Sequence, residues 1–174
     1  MTTTIENTNE FDAVGYTFDQ LSNRGHRPIL SGFMGASYDI RVESVHVRVK
    51  HADTTYRTRH KISKYPTATI EKLLYPRWQW YISPQASAAP VALVLIATTE
   101  SGLIYPYILP EAVLAGRTHA QLTSHPENYS GWLDEWLCEW RVIDFLLKNQ
   151  TRVGTHEMTA KYRHWRSIQN GMVG

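Results

Sequence analysis

Thirteen residues, Tyr38 to Lys50, alternate apolar and polar side chains in a way that a helix cannot use. Tyr38, Ile40 and Val42 point one way while Asp39, Arg41 and Glu43 point the other. Val45, Val47 and Val49 then oppose His46, Arg48 and Lys50. The Glu43-Ser44 junction is the weak turn signal between two short strands, so the stretch is predicted to be a tight hairpin. Asp39 and Lys50 would sit on its polar faces. A half-buried hairpin on any α/β or α+β domain shows the same alternation with its charges merely solvated.

The rest of the chain bounds what such a hairpin can belong to. With 174 residues and 43% hydrophobic side chains, one domain with a real core is expected over residues 1–150. Residues 151–174 are expected to form a polar, basic C-terminal tail, where Lys161, Arg163 and Arg166 surround Tyr162 and Trp165. Such a tail follows nucleic acid, is simply disordered or docks on its own domain. The net charge of +2 argues for no global field, but the charge is unevenly spread. From Arg41 to Lys64 seven basic residues face two acids, Glu43 and Asp53. One cysteine, Cys138, excludes an intrachain disulfide and reads as ordinary helix packing. No basic and apolar leader opens the sequence, and the longest apolar run falls far short of the roughly 20 residues a membrane helix needs. The expectation is a soluble cytoplasmic protein with no membrane partner.

Local patterns predict the elements in order. Phe11, Val14, Phe18 and Leu21 give a helix over Glu10–Ser22, with Asn9 as cap. Pro28–Phe33 reads as a strand ahead of the hairpin. Thr54–His60 reads as extended chain or basic loop, and Thr67–Tyr75 as a helix stopped by Pro76. Arg77–Ile82 leans towards strand, and Ser83–Pro90 is a small-residue linker. Val91–Ala97, apolar on both faces, is a central buried strand. Leu103–Pro110 is its edge neighbour across the Thr99–Gly102 loop, because prolines remove ladder donors. Trp132–Leu147 reads as an amphipathic helix with Leu133, Trp136, Trp140, Ile143 and Leu147 on one stripe.

This order, with Ser37-Tyr38-Asp39-Ile40 and Val47-Arg48-Val49-Lys50 inside it, resembles the PD-(D/E)XK, or restriction-endonuclease-like, superfamily. It is similar in look to nucleases encoded in group I introns and to Holliday-junction resolvases. The resemblance spans residues 10 to 110 and rests on those eight positions. It implies a mixed α/β (α+β) sheet with an early helix, a three-stranded meander, a helix, further strands and, here, a C-terminal amphipathic helix. It also implies a metal-dependent DNA endonuclease that uses Mg²⁺, acts as a homodimer and hydrolyses phosphodiester bonds. Asp39 would be the metal-binding carboxylate, and Lys50 the group that orients or activates the attacking water. Mg²⁺ prefers oxygen ligands, so one or two carboxylates plus waters and a substrate phosphate suffice.

Two positions depart from the family. Arg48 stands where Glu or Gln is expected two residues before the lysine, and arginine cannot coordinate a cation. Val14 stands near the place of the helix glutamate. Glu43 is the expected replacement metal ligand, with Glu10 or Asp12 completing the catalytic set. Arg48, Arg57, Arg59, Lys61 and Lys64 form the expected phosphate-tracking surface. The bland alternative for that cluster is a charged, solvated edge strand. His46, His51 and His60 lack the spacing of a zinc site, no Gly-x-Ser-x-Gly elbow is present, and no Gly-rich loop follows a strand.

Three function classes stay open: the Mg²⁺-dependent endonuclease acting on DNA, with RNA not excluded; a nuclease-fold protein that only binds nucleic acid or serves in a nucleoprotein complex; and an α+β interaction module that docks a partner on the Trp132, Trp136 and Trp140 ladder. For that ladder, ordinary core packing is the stronger expectation.

Overall fold

The computed structural model describes residues 11–32, 36–61, 71–83, 87–149 and 155–172, with the backbone alone at 58–61, 71–73 and 155–156. Its elements run α1 (Ala13–Asn23), β1 (Pro28–Leu30), β2 (Ile40–Val42), β3 (Val45–Asp53), β4 (Thr55–Lys61), β5 (Glu71–Tyr81), β6 (Val91–Thr98), β7 (Ile104–Pro110), β8 (His119–Leu122), α2 (Arg141–Lys148) and α3 (Thr155–Gly171). Short 3₁₀ turns at Glu111–Leu114, Pro126–Asn128 and Asp134–Trp136 lie between β7 and α2.

The apolar run at Val91 becomes β6, the strand on which the main sheet is built. Leu93, Val94, Leu95 and Ile96 are all fully buried, as expected of a strand covered on both faces. Each such side chain contributes about 1.5–3 kcal/mol relative to leaving it in water. The sheet order is β1-β2-β3-β6-β7, with β3 and β6 parallel and every other pair antiparallel. The hairpin read from alternation is present, Val42 pairing with Val45 around Glu43 and Ser44. Glu43 takes φ 50°, a left-handed conformation that a tight turn demands. Helices α1 and α2 pack on the face of β3 that carries Val47 and Val49, with the Phe11 ring 5.0 Å from that of His51. Among the described residues no helix is long and apolar enough to cross a membrane.

The early helix is capped by Asp12, whose carboxylate accepts the N–H of Gly15 at 2.8 Å; the expected cap, Asn9, lies outside the described residues. Asp12→Ala should cost about 1 kcal/mol of unfolding free energy in urea, and an unchanged midpoint would show that the cap contributes nothing.

A second sheet, β4-β5-β8, stands against β6 and β7. Trp78 and Trp80 of β5 are buried, and their indole N–H groups donate to the Thr98 and Ile96 carbonyls of β6 at 2.8 and 3.1 Å. The Trp80 ring also meets Tyr107 edge-on at 6.2 Å. β5 overturns the helix expected over Thr67–Tyr75: residues 71–75 are strand, and 67–70 lie outside the described residues. Pro76, read as a helix stop, sits inside the strand opposite Tyr56. β8 pairs with β5 only from Trp78 onward, so the edge at Pro76 is open and tolerates a residue without an N–H.

The long helix expected over Trp132–Leu147 is also corrected. Leu137 bridges to Tyr107, the Cys138 N–H donates to the Pro106 carbonyl at 2.8 Å, and Cys138 takes φ 54°. A helix cannot run through a left-handed residue, so α2 begins only at Arg141. Cys138 is exposed there rather than packed in a helix. The three tryptophans therefore form no ladder. Trp136 and Trp140 are core residues, and Trp132 is half-buried under the Arg117 guanidinium, 4.7 Å from its ring centroid.

The C-terminal segment docks on the protein as α3, burying Met158 and Tyr162. Tyr162 meets Trp136 and Phe145 at ring distances of 5.1 and 5.3 Å. Beside it, buried Glu139 takes two hydrogen bonds from Arg141, at 2.7 and 3.0 Å, and lies 3.4 Å from Arg166 of α3. Burial opposes ionisation of Glu139, but the Arg141 hydrogen bonds and the charges of Arg141 and Arg166 outweigh it, leaving its carboxyl below the ordinary value of 4.5. The folded state thus binds fewer protons there than the unfolded chain. Its contribution is complete above pH 4.5 and lost as pH falls through the lower folded value. Wild type should lose more of its urea midpoint between pH 5 and pH 3 than Glu139→Gln does; parallel curves would refute the assignment.

The architecture is thus the expected mixed α+β fold, with an early helix and a three-stranded meander, and it adds a parallel β3–β6 pair. The expected crossover helix is replaced by the β4–β5 pair.

Candidate functional site

The meander fixes Asp39 through its backbone. The Asp39 N–H donates to the Val47 carbonyl and its own carbonyl accepts from Ser31, both at 2.9 Å, so the residue is held between β1 and β3. Its side chain then extends the ladder by one rung: Oδ2 accepts the Val49 N–H at 2.7 Å. Among the described residues the other oxygen, Oδ1, accepts no hydrogen bond. The carboxylate therefore rests one residue from Lys50, with one oxygen left for a ligand.

Lys50 is half-buried on β3 and lies in register with Leu95 of β6. Among the described residues its ammonium has no ion-pair partner. The hydrocarbon stem covers apolar surface while the charge stays near water. β2 keeps register with β3 only as far as Ile40 opposite Val47; the Asp39 N–H is bonded to that same Val47 carbonyl, so Asp39 is an extra residue at the end of the ladder, as in a β-bulge.

Arg48 is placed quite differently from the phosphate-tracking role expected of it. It is only 5% exposed, and its guanidinium donates to the Glu111 carboxylate and, at 2.9 Å, to the Ser83 carbonyl. The pair is held inside the protein, since the Glu111 side chain is only 17% exposed. Arg48 is thus turned from solvent and committed to Glu111. Glu111, just after β7, is the residue that the sequence reading missed. The one available signal was that a buried arginine requires a counter-charge.

Glu43 does not reach Asp39. It is exposed at the hairpin turn, four residues along the strand and so roughly 13 Å away at the usual strand rise. Glu10 and Lys64 lie outside the described residues. Arg57 is exposed on β4 opposite Tyr75, and β4 continues through Arg59 and Lys61, whose side chains are outside the description.

His46 adds a group that the metal-centred reading did not use. Its ring stacks on Tyr38 at 4.0 Å and 28°, and Nδ1 lies 3.4 Å from the Ser87 hydroxyl. Burial, then the nearby Arg41 charge, lowers its pKa. His51 lies on the opposite face of β3, so these two histidines do not share a site.

Among the described residues no three His, Cys, Asp or Glu side chains gather to hold a metal ion. The donors at Asp39 fit Mg²⁺ in the other way that ion is held, by one carboxylate oxygen with waters and a substrate phosphate. Among the described residues, an acid with a spare oxygen is thus bonded to the residue before a lysine that makes no ion pair, and the two groups together suit a phosphodiester and its counterion.

No family model matches the chain, and no curated protein matches it. Among solved structures, that of the bacterial homing endonuclease I-Ssp6803I is similar with a TM-score of 0.48 and 14% identity, covering 80% of this chain and 94% of that one.

Proposed function

We propose that this protein is a Mg²⁺-dependent DNA endonuclease of the PD-(D/E)XK type. The observation that carries the reading is the 2.7 Å hydrogen bond from Val49 to Asp39, which keeps the carboxylate one residue from Lys50 with its second oxygen open. Asp39 would hold the metal, which when bound acidifies water and screens charge on the phosphate. The Lys50 ammonium contributes a fixed positive group at the phosphoryl oxygens and orients the attacking water. Cutting both strands with one such site per chain requires two copies to meet on the duplex.

A second reading, a nuclease-fold protein that binds nucleic acid without cutting it, is favoured by one observation: Arg48 occupies the second acid's position and is committed to Glu111. Supercoiled plasmid incubated with Mg²⁺, and with Mg²⁺ plus EDTA, separates the two. Nicking that EDTA abolishes and Asp39→Ala lacks supports the enzyme. Salt-sensitive DNA retention with no nicking on any DNA form supports the second reading and ends the first.

A further inference from the structure

The second sheet has a part that the core does not need. β8 covers β5 only over Trp78–Tyr81, so Thr55–Lys61 and Glu71–Arg77 continue beyond it as a two-stranded ribbon. Seven residue pairs at about 3.4 Å each make it roughly 24 Å long. Among its described side chains Thr55, Tyr56, Arg57 and Leu74 are exposed, while Tyr75, Pro76 and Arg77 are half-buried. Tyr56 is 52% and Leu74 70% exposed on one face, and Thr55 and Arg57 are exposed on the other. A bare two-stranded ribbon is only marginally stable, and exposed tyrosine and leucine add to its cost.

The ribbon is also electrically one-sided. β4 and β5 carry Arg57, Arg59, Lys61, Lys72 and Arg77 against one acid, Glu71, which is in register with Lys61. Register puts Thr55 beside Arg77 and Arg57 beside Tyr75, and the same face continues into Gln79 and Gln121 where β8 joins. Arg77 donates to the Gln79 side-chain oxygen, which orients the guanidinium before any ligand arrives.

From this juxtaposition we infer that the β4–β5 ribbon enters the major groove of duplex DNA and reads base edges with Arg57, Arg77 and Gln79. The inference rests on the nuclease reading for its substrate class and adds where and how that substrate is recognised. The B-form major groove is about 12 Å wide and admits a two-stranded ribbon. Arginine matches the O6 and N7 acceptors of guanine, and glutamine matches the N6 and N7 pattern of adenine. The deep, narrow groove of A-form RNA excludes the same ribbon.

The test is selection from a pool of DNA duplexes with a randomised core, run in EDTA so that nothing is cut. Wild type should enrich a defined motif, and duplex RNA of that sequence should not compete. Arg57→Ala and Gln79→Ala should each relax the motif at one or two base pairs and weaken binding to it about 5- to 150-fold at constant salt. Arg163→Ala removes an equal charge from α3 and should leave the motif unchanged. Arg57 is exposed, so its replacement tests the idea even if a Gln79 variant folds poorly. Binding without an enriched motif, unchanged selection by both ribbon variants, or equal competition by RNA would each overturn the inference. Plasmid nicking is read separately: nicking with no motif keeps the nuclease and removes the ribbon's role.

Discussion

Lys50→Met is expected to slow Mg²⁺-dependent plasmid nicking by about 10²- to 10³-fold, the usual loss when one positioned transition-state charge is removed. Methionine keeps most of the stem that lies along β6 in register with Leu95, so the fold should survive and the urea midpoint should move little. Lys50→Arg should restore little activity, because a planar fork does not replace a compact ammonium at one oxygen. Asp39 divides the same question in two. Asp39→Asn keeps an oxygen to accept the Val49 N–H but removes the charge, so stability should hold while nicking is lost. Asp39→Ala removes both, adding about 1 kcal/mol of destabilisation from the broken hydrogen bond. If Lys50→Met nicks as fast as wild type, the site is elsewhere, whatever the DNA affinity.

The second large effect is on folding. Arg48→Met leaves the Glu111 carboxylate without its partner in a nearly closed environment, and should cost about 3–5 kcal/mol. Glu111→Leu should cost a similar amount by leaving the guanidinium with only the Ser83 carbonyl. The double variant Arg48→Met/Glu111→Leu should recover most of the loss, since apolar groups of similar volume replace a buried pair at little net cost. Equilibrium urea unfolding of the four proteins gives the coupling directly. Single variants that each lose under about 1 kcal/mol would mean that the pair is solvated and contributes as a surface pair does. The same result would return Arg48 to the set of residues available to a phosphate.

The two effects explain how the chain differs from the pattern it resembles. A second acid two residues before the lysine would share a metal with Asp39. Here an arginine stands there, and its charge is taken up by an acid from the end of β7 rather than left beside Asp39.

Elements whose signal is carried by adjacent residues were legible without a structure. Alternation over Ile40–Lys50 specified the hairpin, and the unbroken apolar run at Val91 specified a strand buried on both faces, because period and burial are properties of the segment itself; the alternation fails at Tyr38, whose ring stacks on His46 instead of lying with Ile40. The prolines of Leu103–Pro110 marked an edge strand for the same reason. Residues 71–75 carried no such decision: Glu-Lys-Leu-Leu-Tyr suits a helix turn as well as a strand, and pairing with β4 across the chain chose the strand. Trp136 and Trp140 were correctly read as core, yet their helix is interrupted because Leu137 and Cys138 are drawn to β7, some thirty residues earlier.

What the sequence determined alone is the meander and its central strand, because period and burial are carried by neighbouring residues. Only the tertiary structure decided that Arg48 turns inward to Glu111, 63 positions away, and that Glu43 stays at the turn. Only there, too, does the basic stretch after Thr54 become a projecting ribbon. The physical reason is common to all three. A buried charge and an unpaired strand edge are satisfied by whichever partner the fold brings within reach, and no local pattern names that partner.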